Sequence, residues 1–194
     1  MSRNIMIFID GGYVRRNLEV NDLNWVVDLS KFSNRAIDRL FPPPRTQNED
    51  YIRTYYYDAN YSKDDPNYEP PIHDEKYSKR KEIFDAYDKT DNVEVVLGSL
   101  IISGNKKDKD RQKRVDTKIA IDMISKAYMN HYDIAILVCG DRDYIPIVKA
   151  VKNLTGKRVY GIFFPNHCPD DLIKLFDRKL DINIGDGKPW GIRT

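Results

Sequence analysis

The chain of 194 residues is short of cysteine and of long apolar runs. Its two cysteines, Cys139 and Cys168, cannot build a disulfide framework, so a small disulfide-stabilised secreted domain is excluded and a cytoplasmic location is expected. No apolar run reaches about 18 residues, so we expect no spanning helix and no membrane partner. The first apolar run is short and ends in Asp10, and we interpret it as a buried strand rather than a signal peptide.

Glycine-rich phosphate-binding motifs are also missing. The sequence holds no P-loop, and no G-x-G-x-x-G follows the first apolar run, so chemistry on a nucleotide cofactor is unsupported. The net charge is only +2. Any affinity for nucleic acid must therefore come from local clusters of lysine and arginine.

Short apolar runs alternate with segments of helical periodicity along most of the chain. The predicted strands are residues 4–10, 51–57, 93–102, 132–140 and 157–164, and the predicted helices are residues 30–41, 75–89, 115–129, 143–154 and 169–179. Two long loops are predicted at 58–74 and 103–114. Strands that alternate with helices form a mostly parallel, doubly wound α/β sheet covered on both faces. We expect one domain over residues 1–184 and a glycine-rich tail at 185–194.

Four aspartates fall where the carboxyl ends of the predicted strands meet. Asp10 ends the first strand, Asp141 and Asp143 follow the fourth, and Asp116 opens the helix after the third. Open parallel sheets bind their ligands at this edge. By helical spacing Asp116 falls within the apolar stripe of residues 115–129, so we expect it to point inward, where an unpaired charge is costly.

These carboxylates predict a metal site. Clustered carboxylates raise one another's pKa unless a cation neutralises them. Oxygen ligands favour Mg²⁺ or Mn²⁺, and these ions activate water for in-line displacement at phosphorus. We therefore expect Asp10, Asp116 and Asp141 to hold the metal, with Asp143 assisting as a ligand or a base.

Other roles for the same acids stay open. Asp10 and Asp141 each suit the N-cap of a following helix. Asp122 stands four residues before Lys126, a spacing that fits a salt bridge as well as a supporting role at the metal site.

Three segments carry a resemblance to a known family. They are MIFIDGGYV, KRVDTKIAIDMISKAY and YDIAILVCGDRDYIPIVKAVKNLTGKRVYGIFF. Together they resemble the NYN domain, a branch of the PIN-like nuclease superfamily, and specifically its LabA-like group. The resemblance implies a Rossmann-like, PIN-type three-layer fold and a metal-dependent ribonuclease. It also implies that Asp10, Asp116 and Asp141 are the core acids, and that Asp143 and Asp122 are further acids.

A basic loop leads into Asp116. Its cations are Lys106, Lys107, Lys109, Arg111, Lys113 and Arg114. A basic surface beside an acidic metal site suits a phosphodiester backbone, and a solvated loop is the alternative. The tyrosines at 55–57, 61 and 68 are candidates for base stacking, although strand tyrosines more often pack in a core.

Three functions remain open on the sequence. The leading one is a Mg²⁺- or Mn²⁺-dependent nuclease that acts on RNA, with single-stranded DNA as an allowed substrate. The second is a regulatory module that binds RNA without cutting it. The third is a phosphatase, but the haloacid-dehalogenase type needs an aspartate two residues after Asp10, where this chain has Gly12. A homodimer is left open.

Overall fold

Seven strands form one sheet in the computed structural model, which describes residues 2–20, 26–42, 49–104, 110–182 and 190. The strands are β1 (Arg3–Asp10), β2 (Glu49–Tyr61), β3 (Val93–Ile101), β4 (Arg111–Lys113), β5 (Ile134–Val138), β6 (Arg158–Phe163) and β7 (Arg178–Asp181). The helices are α1 (Gly11–Val20), α2 (Leu29–Leu40), α3 (Ile72–Asp88), α4 (Val115–Tyr128), α5 (Ile145–Thr155) and α6 (Asp170–Ile173). The architecture confirms the predicted α/β class and the PIN-type three-layer fold with a mostly parallel sheet.

The strand order reverses at β1. The sheet runs β4-β3-β2-β1-β5-β6-β7, and β1 pairs in parallel with both β2 and β5. The chain therefore builds outward from β1 in one direction, returns through α4, and builds outward in the other direction from β5. Strand β4 is antiparallel to β3 and forms the edge of the described sheet. The reversal opens a crevice at the carboxyl ends of β1 and β5.

The tyrosines of β2 are core residues. Tyr55 and Tyr57 face α4, where the Tyr57 hydroxyl donates to Asp122 Oδ2 (2.7 Å). Tyr56 faces α3, and its ring centroid lies 5.0 Å from that of Tyr87. All three rings are buried, so they pack rather than stack on bases.

The sequence pattern predicts α1 only as a helix of unstated length that Asp10 could cap, and it does not predict β4. Helix α1 begins with two glycines, which are poor helix formers, and β4 lies inside the predicted loop at 103–114. Contacts explain both glycines: a Cβ at Gly11 would overlap the Tyr56 ring, and a Cβ at Gly12 would overlap the Gln112 side chain of β4. Close packing therefore explains why glycine stands at the start of α1, and helix propensity does not.

The helix predicted at 169–179 is wrong beyond its first turn. Helix α6 ends at Ile173, and β7 follows it. The Asp177 amide donates to the Val159 carbonyl oxygen (2.9 Å), and the Asp177 carboxylate accepts from the Val159 amide (2.8 Å). These bonds bring the chain alongside β6, so sheet pairing outweighs the local helical pattern.

The two remaining sequence predictions concern the loop at 58–74 and the tail. Strand β2 continues to Tyr61 and α3 begins at Ile72, so the connection between them is only residues 62–71. In the tail at 185–194 only Trp190 is described; it is buried, with its ring 5.4 Å from Phe32. Within the described ranges, no helix combines the length and the apolar composition needed to cross a membrane.

One buried carboxylate joins three elements around the end of β2. Asp58 is fully buried and accepts hydrogen bonds from Arg80 Nη2 in α3 (2.9 Å) and from Gln112 Nε2 in β4. Arg15 Nε in α1 lies 3.7 Å from Asp58 Oδ2. Burial lowers the pKa of Arg80, and the Asp58 carboxylate opposes that shift. Asp58 therefore ties α1, α3 and β4 to the middle of the sheet.

We predict that Asp58→Asn lowers the free energy of unfolding by about 3 kcal/mol, because the two arginines lose a buried counter-charge. Asp85→Asn is the matched control, since Asp85 pairs with Lys81 on the exposed side of α3 and should cost at most about 0.5 kcal/mol. Urea denaturation followed by circular dichroism measures both. Equal midpoints for the two variants would contradict this role of Asp58.

Candidate active site

A tyrosine hydroxyl lies between two of the predicted acids. Tyr144 Oη is 3.1 Å from Asp10 Oδ2 and 3.1 Å from Asp116 Oδ1. Asp10 ends β1 and Asp116 lies in the first turn of α4, so the fold brings these distant carboxylates to one atom. A hydroxyl has one proton and can donate it to only one of the two carboxylates at a time.

The two oxygens of Asp10 have different partners. Oδ1 accepts the Tyr13 amide (2.8 Å), so Asp10 caps the start of α1, as one alternative predicts. Oδ2 faces Tyr144. The side chain is buried, and burial raises the pKa of Asp10 to about 6; the Tyr13 amide and Arg16 lower it, and Asp116 raises it. The buried charge is therefore costly, and a cation would relieve it.

Asp116 is exposed, so the expectation that it points inward is wrong. The buried positions of α4 are Val115, Ile119, Met123 and Ala127, four residues apart, and Asp116 lies one residue beyond the first of them. As part of the first helical turn it stands at the edge of the sheet, where water reaches it. Its Oδ1 still contacts the Tyr144 hydroxyl.

Asp141 and Asp143 are both exposed after β5. Asp141 Oδ1 accepts the Asp143 amide (3.1 Å) and caps a single 3-10 turn at Arg142–Tyr144. The α-helix predicted from residue 143 begins at Ile145 with Tyr144 at its N-cap, so Asp141 caps the turn before that helix and not the helix itself. That turn places Tyr144 against Asp10. Asp141 lines the same cleft as Asp10 and Asp116, whereas Asp143 is outside the lining.

Asp122 lies away from these acids. It accepts the Tyr57 hydroxyl and pairs with Lys126 Nζ (3.1 Å), as the four-residue spacing predicts. It does not line the cleft.

The predicted basic residues fall into three groups. Lys106, Lys107 and Lys109 lie outside the described residues. Arg111 lines the cleft, while Lys113 and Arg114 are exposed and do not line it. Their binding of nucleic acid stays a prediction.

The cleft itself has a volume of about 1100 Å³. Besides Asp10, Asp116 and Asp141, its lining includes three further acids, Glu19, Glu69 and Asp110, and the basic side chains Arg15, Arg16, Lys76, Arg80 and Arg111. An acidic group and a basic group thus share one cavity. Sequence reasoning does not identify Arg15 or Arg16, because it assigns no length or faces to the helix after Asp10. It does not identify Tyr144 either, although Tyr144 stands three residues after Asp141 in GDRDY.

The two carboxylates at the Tyr144 hydroxyl can form part of a ligand set for a divalent metal. In the part of the chain that the structure describes, no three His, Cys, Asp or Glu side chains are arranged to hold one ion. Two carboxylates, Asp10 and Asp116, do come together. Mg²⁺ is often bound by one or two carboxylates, with waters and substrate phosphates completing its shell, so this pair fits such an ion. Asp141 as a third direct ligand remains a prediction.

The family model of the NYN domain matches residues 4–183. A solved structure of a protein of unknown function from Vibrio parahaemolyticus has the same fold, with a TM-score of 0.58 and 22% identity over 94% of this chain and 94% of that chain. No curated protein matches the chain. Because the family model covers nearly the whole sequence, the chain belongs to the NYN domain family of the PIN-like superfamily.

Proposed function

We propose that this protein is a divalent-metal-dependent nuclease that hydrolyses phosphodiester bonds of RNA. The observation that carries the proposal is the Tyr144 hydroxyl, shared at 3.1 Å by Asp10 and Asp116. The pair lies at the carboxyl ends of β1 and β5, in a cleft that Asp141 also lines. Membership of the PIN-like superfamily, whose members are generally nucleases, supports the same reaction class.

Each residue has a stated task in this proposal. Asp10 and Asp116 hold Mg²⁺ or Mn²⁺, which when bound supplies a Lewis acid and an activated water. Asp10 can present Oδ2 because the Tyr13 amide already occupies Oδ1. Asp141 adds negative charge from the wall of the cleft, and Asp143, which lies outside that lining, orients the Asp141 carboxylate through its backbone amide rather than serving as the base. Arg16, which lies close enough to lower the pKa of Asp10, faces the anionic substrate.

A second candidate function is an RNA-binding regulatory module without catalysis. The observation that favours it is that the described residues hold no ready-made group of three metal ligands. Incubation of a labelled RNA with the protein and Mn²⁺, with and without chelator, separates the two. Cleavage that the chelator stops supports the nuclease, and binding without cleavage supports the module.

We predict that Asp116→Asn lowers the cleavage rate by at least about 100-fold, because the metal loses a carboxylate while little packing changes. Asp91→Asn is the matched control, since Asp91 is exposed in the turn before β3. Gel analysis of RNA cleavage under single-turnover conditions measures both. A folded Asp116→Asn protein with the wild-type rate would remove Asp116 from the site.

We predict that Mn²⁺ or Mg²⁺ stabilises the protein without RNA. A ligand that binds only the folded state adds about 2.7 kcal/mol at 100 times its Kd. The Tm should rise with metal concentration for the wild type and stay constant for the Asp10→Ala/Asp116→Ala double variant. A similar rise in that variant would place the ion elsewhere on the chain.

We predict that, in chelator, Asp10→Asn is more stable than the wild type at neutral pH. The folded-state pKa of Asp10 is raised to about 6 from 3.8, so the folded state disfavours the charged form above pH 6. The penalty, about 3 kcal/mol, therefore disappears as the pH falls from about 6 towards 4. Urea titrations of both proteins across this range measure the difference. A difference that does not change with pH would contradict the shifted pKa.

A further inference from the structure

The cleft has an apolar part in addition to its acidic and basic groups. Tyr61, Ile72 and His73, at the two ends of the connection between β2 and α3, line it together with Leu100 and Ile102 from the end of β3. Ile72 is 56% exposed. An exposed apolar side chain inside a concave surface is available to pack against a ligand.

This part of the cleft is held in place by its own contacts. His73 lies between two tyrosines, with ring centroids 5.5 Å from Tyr61 and 5.5 Å from Tyr68. Asn67 Nδ2 donates to the Ile102 carbonyl oxygen (3.0 Å), which ties the connection to the chain beyond β3. The apolar wall formed by Tyr61, Ile72, His73, Leu100 and Ile102 is therefore ordered before a ligand binds. Binding does not have to offset an entropic cost of ordering it.

Cations stand beside this apolar wall. Lys76 is one helical turn after Ile72 on α3, and its Nζ lies 5.9 Å from the centre of the Tyr61 ring. Arg16 and Arg111 line the same cleft. Among the described residues, no carboxylate forms an ion pair with Lys76, Arg16 or Arg111 within 4.0 Å. These charges can therefore meet the phosphates of a bound strand.

We propose that Tyr61, Ile72 and Lys76, supported by the buried His73, form a nucleotide subsite, in which one unpaired base packs against Ile72 and the Tyr61 ring while Lys76 meets its phosphate. The inference rests on the proposed function, because it assigns the strand whose phosphodiester reaches Asp10 and Asp116. A base that is paired in a duplex cannot enter a concave pocket without leaving its stack. The subsite therefore selects single-stranded RNA over duplex RNA.

Binding in chelator tests the apolar wall without any cleavage. The probes are a short fluorescent single-stranded RNA and a strand of equal charge in which abasic residues replace the bases. Ile72→Ser should weaken binding of the normal RNA about fivefold, the effect of losing part of one buried apolar side chain, and should leave the abasic strand unchanged. Ile121→Ser is the matched control, because Ile121 is 60% exposed on α4 and outside the cleft lining.

The charge beside the wall has its own test. Lys76→Gln should weaken both probes alike and reduce the slope of log affinity against log salt by about 0.7, the value of one contact to a single strand. Lys79→Gln is the control, since Lys79 is exposed on α3 but does not line the cleft. Equal slopes for these two variants would remove Lys76 from the subsite.

The remaining outcomes separate the subsite from the nuclease. The subsite is overturned if Ile72→Ser weakens binding of both probes equally or of neither. It is also overturned if duplex RNA competes for binding as well as single-stranded RNA does. Metal-dependent cleavage with either of those results leaves the nuclease standing. Base-selective binding that Ile72→Ser removes, without any cleavage, supports the subsite and overturns the nuclease.

Discussion

The Asp58 carboxylate is the constraint on which the walls of the cleft depend. Asp58 lies in β2, and both Asp58 and its chain neighbours Tyr57 and Ala59 are fully buried. The charge of Asp58 therefore has no access to water. Such a charge persists in a folded protein only with partners of opposite sign. Those partners come from α1 and α3, and Gln112 of β4 completes the set. Because the buried Asp58 carboxylate requires these partners, it holds α1, α3 and β4 together around β2.

The aspartates of the candidate active site have the opposite arrangement. Asp10 is buried like Asp58, but a tyrosine hydroxyl and a backbone amide replace the arginines as its immediate partners. Its neighbour Asp116 adds a second negative charge rather than a positive one. A protein selected only for stability would neutralise this pair. The retained repulsion is the basis on which we propose that the site binds a divalent cation, at some expense in stability.

The sequence predicts those features that local patterns determine. Continuous apolar runs identify β1, β5 and β6, and the position of Asp10, Asp116 and Asp141 next to strand ends places them at one edge of the sheet. Strand β7 is missed because its pairing with β6 overrides a weak local preference. Helix α1 is predicted only as a helix that Asp10 could cap, because its glycine start is explained by packing against Tyr56 and not by propensity. Tyr144 and Arg15 are missed for another reason. Each is important because of the distant side chain that it contacts, and a single sequence does not identify that partner. The inward direction expected for Asp116 is wrong because helical periodicity does not say where the sheet ends.

The reversal of strand order at β1 also has a consequence for the time course of folding. The Asn4 amide on β1 meets the Asp133 carboxylate just before β5, although 129 positions separate them. Contacts of such long sequence separation form late, because a large loop must close first. During synthesis the half of the sheet that contains Asp10 emerges well before Tyr144 does. The Asp10 carboxylate therefore stays hydrated on the nascent chain, and its dehydration belongs to the step in which the second half of the sheet docks.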